Sequence, residues 1–196
     1  MSTQQGRVYS INISTRKGVS KKPVSTANLI TDYGVEGDVH AGDKIKQVSL
    51  LSVESIKQQK ECPKIKNTPS ANADTPLQKG NTLPANAGTP LQKGNTLPAN
   101  AGTPLGEGKS LELKPGDFAE NITTEGVDLS KIKEGDRMAV GKEVLLEVTK
   151  IGKECYRRCS IYYKLGDCIM PKEGVFARVL KGGVIQVGDL LEITNG

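Results

Sequence analysis

Cys155, Cys159 and Cys168 stand close together in the stretch GKECYRRCSIYYKLGDCIMPKEGVFARVLKGG. Arg157 and Arg158 lie between the first two. A positive charge beside a thiol favours the thiolate, the form that carries sulfur chemistry and ligates soft metals. The first residues, MSTQQGRVYSINIS, lack the apolar core of a secretory signal. A disulfide framework of the secreted kind is therefore not the expected reading. Cys159 is the first candidate for a reactive thiol or metal ligand. Cys155 and Cys168 are candidates beside it, with packing as the alternative for each. Cys62, next to Pro63, reads as incidental.

A second block, GVEGDVHAG at Gly34 to Gly42, contains His40, the only histidine. Gly37 and Gly42 permit a backbone to approach a ligand closely. Successive amides in such a loop can form an anion-binding nest. The alternative is a tight turn in which Asp38 and His40 bond to the backbone. A zinc site from His40, Cys155, Cys159 and Cys168 has suitable ligand types, but no paired C-x-x-C motif supports it.

The formal net charge of +5 suits an anionic small ligand. It comes without the basic runs or stacking aromatics of a nucleic-acid binder. No apolar run approaches the roughly 20 residues of a membrane span. The expectation is a cytoplasmic protein with reduced thiols. Asn67 to Gly108 is a tandem repeat of fourteen-residue units, NTPSANADTPLQKG, NTLPANAGTPLQKG and NTLPANAGTPLGEG. It has no Val, Ile, Phe, Tyr, Trp or Cys. So little apolar area cannot offset the entropy of ordering the backbone. It reads as a flexible loop inserted into one domain spanning 1–196.

The elements that must position these residues are short. Arg7 to Ser14 and Val24 to Ile30 read as strands, and Gln47 to Leu51 as a buried one. Ser52 is placed to cap a helix running to about Lys60, with Glu54 in its first turn. Ala119 to Thr124 reads as a strand. Arg137 to Val140 and Glu143 to Ile151 form a hairpin around Gly141-Lys142. Tyr156 to Lys164 reads as helical. Val175 to Leu180 is ambiguous between helix and strand, Gly182-Gly183 is a turn, and Asp189 to Ile193 is a last strand. Many short strands with glycine turns suggest a mainly β barrel or sandwich.

Three ordered blocks resemble the MOSC domain, the C-terminal domain type of molybdenum cofactor sulfurase, and most closely its small bacterial members. They are GDVHAG followed by QVSLLSVES, GDFAENITTEG, and GKECYRRCSI to VGDLLEI. The resemblance implies a closed β-barrel with a few peripheral helices. It implies binding of the molybdenum cofactor (molybdopterin) or carriage of sulfur. Cys159, after Arg158, matches the molybdenum-ligating cysteine of related amidoxime-reducing enzymes. The GDVHAG residues Gly37, Asp38, His40 and Gly42, with Asn121, Arg158 and Arg178, are then the residues expected to hold an anionic pterin ligand. No pyridoxal phosphate site is identified in this chain, so a cysteine desulfurase or a molybdoenzyme would be a separate partner. The other enzyme-like expectation is a small molybdoenzyme that reduces N-hydroxylated substrates with an external electron donor.

Overall fold

The structure is a computed structural model. It describes residues 3–61, 112–155, 160–165 and 167–194. The tandem repeat, Cys62 and the run Tyr156 to Cys159 lie outside the described residues, so the expectations made for them are not addressed by it.

The strands are β1 (Thr3–Ile13), β2 (Lys22–Val24), β3 (Thr26–Ile30), β4 (Gly34–Val35), β5 (Val48–Ser52), β6 (Ile122–Glu125), β7 (Arg137–Val140), β8 (Val144–Ile151), β9 (Val175–Lys181), β10 (Gly183–Gln186) and β11 (Leu190–Thr194). The helices are α1 (Val53–Glu61), α2 (Ser160–Leu165) and α3 (Met170–Glu173), with a 3-10 turn at Leu129–Lys131. The main sheet runs β11-β7-β8-β9-β5-β6-β1-β2. It closes because β1 also pairs with β11, from Thr3 against Thr194 to Arg7 against Leu190. Seven strands thus form a barrel, and β2 continues from the far end of β1. All neighbours are antiparallel except β5 and β6. That parallel pair needs a crossover, and α1 begins it.

Strand alternation builds two cores. On β9, Val175, Ala177 and Val179 point into the barrel with Val8, Ile11, Leu50, Leu146 and Leu191. Phe176, between them, points outward into a second core with Leu51, Ile56, Ile161, Leu165, Cys168 and Met170. This outer layer is where α1, α2 and α3 pack. Burial on both faces explains why every residue of β5 is buried. It also resolves Val175 to Leu180 as a strand, covered on both sides at Val175 to Ala177 and open on its outer face from Arg178. Full burial of one such Leu or Ile is worth about 1.5–3 kcal/mol.

The expected hairpin is present, with Arg137 opposite Glu147 and Val140 opposite Val144. The Ser52 hydroxyl accepts from the Ser55 amide at 3.1 Å, as expected of a cap. The expected strand Val24 to Ile30 is split at Ser25: β2 joins the barrel while β3 joins a small sheet, β10-β3-β4. Gly183 opens β10 instead of completing a turn. The expected strand from Ala119 starts only at Ile122, because Ala119 has φ 64° and cannot extend.

Gly116, ahead of that start, has φ 88°, and a Cβ there would meet the Lys21 carbonyl oxygen at 2.4 Å. Gly37 also has positive φ, 77°, but faces open space. Gly116→Ala is therefore expected to cost at least about 2 kcal/mol, and Gly37→Ala about 1 kcal/mol. Urea unfolding of the two variants beside the parent measures that ordering.

Candidate functional site

Beyond β8 the chain leaves the barrel and runs beside α3. Gly152 donates its amide to the Gly174 carbonyl at 2.7 Å, and Lys153 to the Pro171 carbonyl at 3.3 Å. A Cβ on Gly152 would meet the Pro171 oxygen at 2.5 Å, so only glycine allows this approach. The result is a cleft of about 530 Å³ with Lys150, Lys153, Cys155, Tyr162, Cys168 and Lys172 in its wall. Two of the expected cysteines thus meet in one place. Cys155 is an exposed thiol and Cys168 a buried one. Asp167 accepts from the Cys168 amide at 2.8 Å and pairs with Lys172 at 3.6 Å. Three lysines against two carboxylates, Glu154 and Asp167, leave the wall with one net positive charge, which favours an anionic occupant. Cys159 and Arg158 lie outside the described residues.

The histidine loop borders the same flank. The Thr149 hydroxyl donates to the Ile45 carbonyl and lies 3.1 Å from that of Phe176. Lys150, the next residue, is already in the cleft wall. Within the loop Asp38 is the hub. Its carboxylate is wholly buried and takes both 2.8 Å bonds from the Lys21 ammonium. It also accepts from the Ser14 amide at 3.1 Å and the His40 amide at 3.0 Å. The His40 Nδ1 lies 3.3 Å away. Burial alone would raise the Asp38 pKa. The bonds from His40 and Lys21, and the Lys21 charge, outweigh burial and hold Asp38 well below the usual carboxylate range. Lys21 is pulled below its ordinary value by burial, with Asp38 opposing and Lys153 adding to the fall. Lys153, whose charge acts on Lys21, is itself in the cleft wall.

The amides of Asp38, Val39, His40, Ala41, Gly42 and Asp43 all donate within the protein, to Val35, Ser14, the Asp38 side chain, Asp38, Tyr33 and His40 respectively. The loop is thus the tight-turn alternative of the sequence reading, and these amides do not form an open nest. Gly42 keeps φ 84°, and a Cβ there would meet the Tyr33 ring at 3.5 Å. What the loop presents outward is the His40 ring, a third exposed.

Asn121 is buried and spent on the fold: it accepts from the Ser49 amide and hydroxyl at 3.2 and 2.9 Å and donates to the Asn12 carbonyl at 3.3 Å. It ties β1, β5 and β6 together at the barrel end. Glu120 beside it is fully buried. Its Oε1 accepts from the Gly116 amide at 2.6 Å and the Thr123 hydroxyl at 2.9 Å. Its Oε2 has no hydrogen-bond partner among the described residues. Burial pushes its pKa up to about 7 against those two bonds. Arg178 lies elsewhere, exposed on the outer barrel face in a cross-strand pair with Glu147 at 2.8 Å. It is not in the cleft wall. No group of three or more His, Cys, Asp or Glu among the described residues is arranged to hold a metal ion. His40 pairs with Asp38 instead of joining Cys155 and Cys168, so the zinc reading finds no support there. The sequence reading missed Lys21, Lys150, Lys153 and Lys172. Nothing in their local sequence separates them from the other lysines.

Two measurements test this electrostatic picture. An ionised Asp38 can only accept, so His40 Nδ1 must carry the proton. Long-range proton–nitrogen NMR at pH 8 is expected to show the Nδ1–H tautomer for this single histidine, and Asp38→Asn to abolish that preference. Glu120 holds its proton more tightly folded than unfolded, between its ordinary value of 4.5 and about 7. The folded state therefore binds more protons in that window, and stability falls as pH rises through it. Glu120→Gln is expected to remove a loss on the order of 3 kcal/mol between pH 5 and 8. Denaturant unfolding of both proteins at the two pH values reads the difference.

Residues 99–192 match the sequence profile of the MOSC domain. No curated protein sequence matches the chain. Among solved structures it is similar to the YUAD protein from Bacillus subtilis, with TM-score 0.62, 13% identity, and coverage of 98% of this chain and 97% of that one. YiiM from Geobacillus stearothermophilus gives TM-score 0.53 at 18% identity, covering 99% and 76%. YiiM from Escherichia coli gives 0.51 at 16%, covering 97% and 70%. At such identities these likenesses are of fold. The profile spans β6 to β11, while β1 and β5, which complete the same barrel, come from the preceding half. Residues 99–192 thus match the MOSC domain family, and the closed barrel that they complete with β1 and β5 agrees with that match.

Proposed function

We propose that this protein binds a ligand of the molybdenum cofactor type and acts through cysteine thiols as a metal ligand or sulfur carrier. The observation that carries the reading is the gathering of Cys155, Cys168 and three lysines in one cleft. Thiols suit a soft metal or sulfane sulfur. The lysines suit the phosphate of a pterin. A volume of about 530 Å³ lies within the range of small-molecule sites. When bound, the cofactor supplies a redox-active metal centre. The chain's own residues supply the anion-binding wall and the thiols. Cys159, a few residues beyond Cys155 and flanked by Arg158, is the thiol assigned to the metal or the transferred sulfur. Arg158 is assigned to the anionic ligand. Sulfur would come from a separate cysteine desulfurase, and a molybdoenzyme would receive the product.

The test is the molybdenum and pterin content of protein purified from a molybdenum-replete host, with persulfide content measured after incubation with a desulfurase and cysteine. The parent is expected to retain cofactor or take up sulfur. Cys159→Ser is expected to lose molybdenum retention by at least tenfold, and Cys62→Ser to keep it. A parent that retains neither cofactor nor sulfur overturns the reading.

A further inference from the structure

We propose that Cys155 and Cys168 form a dithiol pair in which Cys155 accepts a sulfane sulfur and Cys168 displaces it as sulfide. This rests on the sulfur-carrying reading above and goes beyond it, because it assigns a release step.

The pairing follows from the backbone. The Gly152–Gly174 and Lys153–Pro171 bonds fasten the segment that leads to Cys155 against the segment that follows Cys168. Each cysteine lies three residues or fewer from one of those anchors, and both line the same cleft. A cleft of about 530 Å³ is about 10 Å across if taken as a sphere. A disulfide needs Cα atoms roughly 4.4–6.8 Å apart. Cys155 sits in exposed coil beyond the last anchor, where movement toward that separation breaks no strand pairing. Exposure divides the roles. Cys155 can meet a bulky sulfur donor, whereas Cys168, only 8% exposed, can meet only a sulfur already inside the cleft. Lys150, Lys153 and Lys172 attract an anionic donor and the hydrosulfide that leaves.

The chemistry balances without an external oxidant. The Cys155 thiolate attacks a terminal sulfur of a polysulfide and becomes a persulfide, and the shortened polysulfide departs with the electron pair. The Cys168 sulfur then attacks the inner sulfur of that persulfide. A Cys155–Cys168 bond forms, the inner–outer sulfur bond breaks, and the outer sulfur leaves as hydrosulfide with the Cys168 proton. The two thiols are oxidised and the sulfane sulfur is reduced.

The experiment uses the full chain carrying Cys62→Ser and Cys159→Ser, treated with sodium tetrasulfide and freed of excess reagent. Sulfide release and non-reducing peptide mass spectrometry are the readouts. The expected result is about one equivalent of sulfide and a Cys155–Cys168 linked peptide pair. Adding Cys168→Ser, or Cys168→Ala where packing requires it, is expected to leave the persulfide on Cys155 and cut release at least tenfold. A Cys155 persulfide that persists with Cys168 intact overturns the proposal while the sulfur-carrying reading stands. So does a parent chain that loads sulfur only on Cys159. If no cysteine of the parent takes sulfur, the sulfur-carrying reading fails and the release step with it.

Discussion

Everything in this molecule depends on β1 being paired along both of its edges. It meets β6 on one side, and β11 followed by β2 on the other. A sheet closed on itself has no free edge through the barrel wall, so its backbone groups find partners internally. Closure also decides what every side chain of the seven strands does. Alternate residues fill the interior, and the rest face solvent or the helical layer. β5 lies under both cores and so carries no exposed residue.

The helical layer is what turns a packed barrel into a site. Phe176 and Leu51 project from the outer face and collect α1, α2 and α3 around them. That cover leaves a cleft where β8 runs out of the barrel and its continuation is tied to α3. The thiols sit there because Cys168 belongs to the outer core and Cys155 to the extension pinned against it. The cleft with the two thiols thus lies on the barrel's flank, and the apolar interior remains a core.

Buried charge is concentrated on Asp38. Five contacts from Lys21, Ser14 and His40 satisfy its carboxylate. Removing one partner from such a group leaves an uncompensated buried charge, which is why paired burial is tolerated and single burial is not. The same cluster fixes the loop that carries His40. Glu120 follows a different rule. It is buried with one oxygen unpartnered among the described residues, and its environment favours the neutral acid.

Much was legible in the chain itself. Period-two patterning marked β1, because one face of it lies against the barrel core, and a short continuous apolar run marked β5, which is buried on both faces. The Ser52 cap and the Gly141-Lys142 hairpin were readable because they are local bargains between a side chain or turn and its nearest backbone. The motif order carried the family resemblance and, with it, the expectation of a barrel. What the sequence could not hold was decided at long range. Ser25 divides what looked like one strand because β2 and β3 find partners in different sheets. Lys21 is buried, unlike its neighbour Lys22, only because Asp38, seventeen positions on, receives it. Asn121 reads as a ligand group but is consumed by Ser49 and Asn12, and Arg178 by Glu147. The sequence by itself determined which residues have the chemistry for sulfur, metal and anions. The tertiary structure decided which of them face a shared space, because burial and pairing depend on contacts between segments that no local pattern encodes.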